Sequence, residues 1–146
     1  MNFKKISLIF LLSLTSTGAL ANSLVNLYKS PSCGCCTVWA DILEKKGFQI
    51  EVHHQNQWNS IKQKHGLPSE LVSCHTAIID GYLIEGHVPA SEIERLLAEK
   101  PDNIAGLSAP GMPQYSPGMA GKEGEYKGFD VVAFDSSGKT WVYKSY

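Results

Sequence analysis

All four cysteines of this 146-residue chain fall into two short motifs, and their spacing constrains the fold more than any other feature. Cys33, Cys35 and Cys36 are crowded together, and Cys74 follows much later, directly before His75. Disulfides that staple a fold usually close long loops, and neighbouring residues rarely meet disulfide geometry. The crowded thiols are therefore expected to converge on one point, which indicates either thiol redox chemistry or a soft metal such as Cu(I) or Zn(II).

The amino terminus predicts export. Lys4 and Lys5 precede a mostly apolar stretch, and an A-x-A cleavage site ends at Ala21. This pattern is typical of a secretory signal peptide over residues 1–21 and is too short for a spanning helix, although an uncleaved membrane anchor is the alternative. We expect a periplasmic protein whose mature part has no membrane span. In an oxidising compartment, its four retained cysteines should be paired or protected by a ligand.

The charge balance argues against nucleic acid as a partner. The chain carries 13 Lys and Arg against 14 Asp and Glu, and without Lys4 and Lys5 the mature part has 11 basic side chains and a net charge of −3. Arg95 is the only arginine, so no basic stripe exists to displace counterions from a phosphate backbone. About 125 residues remain after cleavage, enough for one domain with a proper core, and we expect a monomer.

Hydrophobic periodicity predicts an α/β domain with the order β-α-β-α-β-β-α over residues 22–100. The predicted elements are a buried strand at 24–28, a helix from Thr37 that ends at Gly47, a half-buried strand at 48–53, a helix capped by Asn56, a hairpin of strands 76–79 and 82–85 around Asp80-Gly81, and a helix with a capping box of Ser91 and Glu94.

Residues 101–146 are predicted to form a C-terminal extension on the same domain. A loop without clear period, rich in Pro and Gly, runs to residue 128 and contains two Pro-Gly-Met triplets that end at Met112 and Met119. A second hairpin is predicted from strands at 129–135 and 139–143. Because residues 22–100 already supply the expected strands, the extension should be dispensable for that fold, with its loop closing over the sulfur site.

A strand followed by a CxxC motif at the start of a helix, and then by β-α-β-β-α, resembles the thioredoxin fold over residues 23–100. Thioredoxin-like proteins carry a cis-proline just before the third core strand, but this chain has Cys74 and His75 there. By that alignment a fourth sulfur and an imidazole replace the proline. The end of the fourth strand, at His87, returns to the same edge of the sheet, so the topology predicts a four-sulfur pocket with one or two histidines.

The motifs CGCC at 33–36, CHT at 74–76 and EGHVP at 85–89 together resemble a narrower family, the small exported CopG-type copper-resistance proteins. The resemblance covers nearly all of residues 23–143, including the Pro-Gly-Met stretch. It implies a thioredoxin-like domain whose extension helps to bind a cysteine-bridged copper cluster, with a role in interconverting Cu(I) and Cu(II). The partners it implies are copper ions and the copper efflux or copper-handling proteins of the periplasm.

The candidate metal ligands are Cys33, Cys35, Cys36, Cys74, His75, His87, Met112 and Met119. Each class has an alternative: two structural disulfides for the cysteines, hydrogen-bonded strand ends for the histidines, and core packing for the methionines. Adjacent residues of a strand point to opposite faces, so Cys74 and His75 should reach one metal only if the strand begins irregularly.

Three functions are compatible with these residues. The leading hypothesis is an exported copper-binding protein of metal tolerance, which could act as a copper oxidoreductase. The second is a thiol–disulfide oxidoreductase that uses Cys33 and Cys36, although it would lack the cis-proline and carry extra thiols. The third is a structural zinc site, whose ligands normally come as two separated pairs. The spacing matches neither common ferredoxin pattern for an iron–sulfur cluster.

Overall fold

The computed structural model describes residues 23–146, so the predicted signal peptide over residues 1–21 lies outside the described part. The elements follow as β1 (Leu24–Lys29), α1 (Gly34–Lys45), β2 (Gln49–His54), α2 (Asn59–Lys64), a 3₁₀ turn (Ser69–Leu71), β3 (His75–Ile79), β4 (Tyr82–Gly86), α3 (Ala90–Glu99), β5 (Gly106–Ala109), β6 (Asp130–Phe134) and β7 (Thr140–Ser145). The predicted α/β class and the order β-α-β-α-β-β-α up to α3 are confirmed.

One mixed sheet has the strand order β2-β1-β3-β4-β5-β6-β7. β1 is parallel to β2 and antiparallel to β3, and β3 is antiparallel to β4. Helices α1 and α3 pack on one face, where Trp39 and Ile93 meet Leu27 in the main core. A smaller cluster around Leu71 and Leu83 covers the other face. Because β1 and β3 are antiparallel, the end of β1 lies beside the start of β3. The loop before α1 and the start of β3 are therefore at the same edge of the sheet.

The loop prediction was wrong at β5, which is a fully buried strand between β4 and β6. Its sequence, Gly-Leu-Ser-Ala, has a single large apolar residue and so shows no period. A Cβ at Gly106 would lie 2.1 Å from the carbonyl oxygen of Leu83, so only glycine allows the two strands to approach this closely. The predicted second hairpin is confirmed as β6 and β7, and it continues the sheet through β5.

The burial of the extension argues against the expectation that residues 101–146 are dispensable for the fold. Leu107, Ala109, Val131 and Ala133 are completely buried and belong to the same core as α1 and α3. Removing the extension would expose this apolar surface to water, which is destabilising. The extension is therefore part of the core of the described domain.

The predicted helix caps differ from the observed ones. α2 begins at Asn59 after Trp58, so Asn56 does not cap it. α3 begins after Pro89 with no capping hydrogen bond from a side chain, so the predicted capping box is not formed. Within the described residues, no helix has both the length and the apolar character needed to cross a membrane.

Candidate metal centre

The first three cysteines lie at the start of α1, just after the loop that follows β1. Cys33 is the N-cap of α1, and Cys35 and Cys36 lie in its first turn. Cys36 is completely buried, whereas the other two are partly exposed. Unpaired backbone N–H groups and the helix dipole at this position favour negatively charged sulfur, and the first turn contains no acidic residue to oppose them.

Cys74 and His75 reach the same point because Cys74 lies in a bend and β3 begins only at His75. The sulfur of Cys74 is 3.4 Å from Nδ1 of His75 and 3.1 Å from Nε2 of His87. The irregular strand start that this pair requires is therefore present. His87 follows β4 directly, so the antiparallel turn between β3 and β4 brings it back to this edge, as the topology predicted.

These side chains form two overlapping groups, and within each group all ligand atoms lie within 4.8 Å of one another. The sulfur group contains Cys33, Cys35, Cys36 and Cys74, and the sulfur–imidazole group contains Cys36, Cys74, His75 and His87. The sulfurs of Cys36 and Cys74 belong to both groups and lie 3.6 Å apart. Two sulfurs shared in this way could each contact more than one soft metal ion.

Cys33 and Cys36 are joined by a disulfide, and Cys35 and Cys74 are free thiols. The alternative of two structural disulfides was therefore wrong. The free thiol of Cys35 lies 3.6 Å from the sulfur of Cys33. Because metal binding requires thiolates, the disulfide must be reduced before Cys33 and Cys36 can serve as ligands.

His87 is held in the tautomer that leaves its inner nitrogen free. Its Nδ1 is 2.6 Å from the carbonyl oxygen of Pro117, which can only accept, so Nδ1 carries the proton. Nε2 is then an acceptor, and its lone pair faces the sulfur of Cys74 at 3.1 Å. Burial lowers the pKa of His87, which keeps the ring neutral. A backbone carbonyl behind the far ring nitrogen is the usual support of a metal-binding histidine.

His75 is completely buried, and its Nε2 has no hydrogen-bond partner among the described residues. Burial, reinforced by the neighbouring His87, lowers the pKa of His75 well below its usual range, so the imidazole is neutral. The ring nitrogen of His75 that lies beside the sulfur of Cys74, at 3.4 Å, is Nδ1, so two neutral imidazoles stand next to the sulfurs of Cys36 and Cys74. The donor set therefore fits a soft or borderline metal ion.

Part of the C-terminal loop lies directly on this centre. Gly118 has a φ of 81°, and a Cβ there would lie 2.8 Å from the carbonyl oxygen of Cys35 and 2.9 Å from the nitrogen of Trp39. The turn at residues 117–119 thus packs against the first turn of α1. Met119 is half-buried in that turn, whereas Met112 is 60% exposed and lines a shallow pocket together with Cys74.

A buried ion pair behind Cys74 was missed by sequence reasoning. Lys62 Nζ lies 2.7 Å from Glu85 Oε1, and the same oxygen accepts a 2.7 Å hydrogen bond from the backbone N–H of Ser73. Thr76 donates to the other carboxylate oxygen at 2.6 Å. Burial raises the pKa of Glu85, and these hydrogen bonds oppose that shift. The available signals were a glutamate in an otherwise apolar strand and a lysine in a short helix.

The hydroxyl of Ser73 also donates to the carbonyl oxygen of Gly111, in the extension. The segment that carries Cys74 is therefore fixed from two sides, by Glu85 of β4 and by the loop that follows β5. The chain has no proline directly before β3, and no peptide bond of the described residues is cis. The contacts of Ser73 with Glu85 and Gly111 hold the segment at this position.

Comparison with known proteins gives a family model and two solved structures. A family model described as a protein of unknown function, DUF411, matches residues 71–119. One solved form of the copper resistance protein CopG is 35% identical, with a TM-score of 0.75, over 84% of this chain and 96% of that chain. A second form is also 35% identical, with a TM-score of 0.76, over 86% of this chain and 98% of that chain. No curated protein sequence shows significant similarity.

Proposed function

The chain belongs to the family of the copper resistance protein CopG, and from that premise we propose that it is an exported protein that binds copper ions as its cargo around Cys74. The observation that carries the proposal is the convergence of four sulfurs and two imidazoles into overlapping groups of possible ligands. Soft thiolate ligands select Cu(I), and imidazole accommodates both oxidation states. The sequence pattern of a signal peptide supports a periplasmic location, where copper efflux or copper-handling proteins would be its partners.

The finer part of the proposal is a multinuclear thiolate cluster that interconverts Cu(I) and Cu(II). Cys36 and Cys74 are the bridging candidates because their sulfurs belong to both ligand groups. Cys33 and Cys36 in their dithiol form are a source of two electrons, because their sulfurs are placed to form a disulfide. In its reduced state, this pair can give one electron to each of two Cu(II) ions, which forms two Cu(I) ions and the disulfide and releases two protons. A dithiol reductant of the periplasm would then have to restore the pair.

The proposal is tested by metal stoichiometry. Fully reduced protein, kept under anaerobic conditions, is expected to bind more than one Cu(I) per chain and to withdraw it from a moderate colorimetric chelator. Protein isolated from copper-fed cells should contain the same excess of copper. A single tightly held zinc ion with no further copper uptake would instead identify the structural zinc site.

A thiol–disulfide oxidoreductase is the second candidate, and the disulfide between Cys33 and Cys36 at the start of α1 favours it. The free thiol of Cys74, however, is 3.6 Å from Cys36. It could capture Cys36 internally before a substrate thiol arrives. Reduction of insulin by the wild-type protein at rates typical of a dithiol oxidoreductase, without copper binding, would favour this second function.

Met112 and Met119 could either bind the metal through their sulfurs or only pack over the centre. We propose that Met112 and Met119 contribute thioether ligands to Cu(I), since thioether is a soft donor. Replacing both by leucine keeps most of the side-chain volume but removes the sulfur. The double variant is expected to retain the fold and to lose Cu(I) roughly tenfold faster to a chelator, about the size of an outer-shell substitution. An unchanged transfer rate and absorption spectrum would show that the methionines serve only as packing.

A further inference from the structure

Lys29 is a buried lysine that has no role in the copper chemistry proposed above. It is the last residue of β1 and is only 2% exposed. The alternation of β1 places it on the same face as Leu27, towards the core beneath α1 and α3. In the antiparallel ladder it stands directly opposite His75, so the two side chains project from neighbouring positions on one face.

No carboxylate among the described residues forms an ion pair with Lys29, whereas the other buried lysine, Lys62, is paired with Glu85. The first turn of α1, which packs on the same face of the sheet, contains no acidic residue either. The Nζ atom of Lys29 is not one of the completely buried polar atoms without a partner, so the small exposed part of this side chain lets the ammonium group reach solvent. Lys29 thus brings a positive charge without a carboxylate partner, among the described residues, to the face of the sheet on which His75 lies.

The sulfurs of the centre flank this pair of residues along the chain. Cys33 follows Lys29 by four positions, and Cys74 precedes the residue that faces Lys29 across the ladder. Reduced sulfurs that bind fewer copper ions than there are thiolates carry a net negative charge. We infer that the ammonium group of Lys29 balances the negative charge of the copper–thiolate assembly and biases the site towards Cu(I), an inference that rests on the proposed function.

The bias has a definite sign. For the same set of ligands, the assembly with Cu(I) carries one positive charge less than the assembly with Cu(II). A fixed cation nearby therefore stabilises the Cu(I) form relative to the Cu(II) form, whatever the number of ions. A lysine that only covers apolar surface with its methylene chain would leave this difference unchanged.

The test compares Lys29→Met with Lys29→Arg, using Lys45→Met in the exposed last turn of α1 as the matched control. Affinities for Cu(I) and Cu(II) are measured separately by competition with a chelator selective for each ion, alongside the unfolding midpoint of the reduced apoprotein. We expect Lys29→Met to lower the ratio of Cu(I) to Cu(II) affinity by about tenfold, which is the effect of a unit charge within about 10 Å at an effective dielectric constant near 20. Lys29→Arg should restore the ratio, and Lys45→Met should not change it.

The outcomes are distinguishable. A ratio that stays at the wild-type value in Lys29→Met overturns the inference while leaving the proposed function intact, as does a Lys29→Arg variant with the same lowered ratio. A wild-type protein that binds neither ion overturns both. If Lys29→Met does not fold, Lys29→Gln removes the charge but keeps a polar end, and the same ratio decides the question.

Discussion

Replacing Cys74 by serine is expected to lower the affinity for Cu(I) by more than about a hundredfold, since substitutions that only support a ligand already cost 10- to 100-fold. Cys74 is one of two residues shared by both ligand groups. Its sulfur lies 3.6 Å from that of Cys36 and 3.1 Å from Nε2 of His87, so its loss breaks the sulfur group and the sulfur–imidazole group together. Serine has nearly the same shape, which limits the effect on folding.

The matched control is Cys35→Ser. Cys35 belongs only to the sulfur group, so this variant should lose part of the bound copper and keep the sulfur–imidazole group. Copper titration of the two reduced variants, followed by absorption and by competition with a chelator, measures the difference. Neither variant alters the Cys33–Cys36 pair, so a dithiol oxidoreductase would keep its activity in both. Equal copper binding in Cys74→Ser and wild type would refute the proposed centre.

The convergence of the sulfurs could be predicted from the sequence because it depends on topology. A motif between the first strand and the first helix and a second motif before the third strand must meet at one edge of the sheet when the central strands are ordered as observed. The antiparallel return of β4 likewise fixed the place of His87. Periodicity predicted these strands because their buried faces are lined with large apolar residues.

Other features depend on contacts between distant residues that leave no periodic signal. β5 forms because it pairs with β4 and β6 and because Gly106 has no side chain to block their approach. Its own four residues show no pattern that predicts a strand. The tautomer of His87 depends on the carbonyl group of Pro117, thirty positions away. The packing of Gly118 on Cys35 is equally long-range. Each is a property of the assembled fold, not of the local sequence.

The ion pair of Glu85 and Lys62 shows how a residue without a role in the motif can control the centre. Replacing Glu85 by leucine leaves the ammonium of Lys62 buried and removes the acceptor used by Ser73 and Thr76. We expect the reduced apoprotein to lose about 3–5 kcal/mol of unfolding free energy, the usual cost of removing one partner of a buried ion pair. Urea denaturation followed by circular dichroism measures this loss.

The double variant Glu85→Leu with Lys62→Met separates stability from positioning. Replacing both charges by apolar side chains of similar volume is often neutral or stabilising, so the double variant should be more stable than Glu85→Leu. The hydroxyl of Thr76 and the backbone N–H of Ser73 still lack their acceptor, which should keep the unfolding free energy about 1–3 kcal/mol below wild type. Cys74 is the residue that follows Ser73. Copper affinity should therefore remain reduced although part of the stability has recovered. A double variant that regains both would mean that Glu85 only balances Lys62, whereas one that regains stability alone identifies the carboxylate as the group that presents Cys74 to the metal.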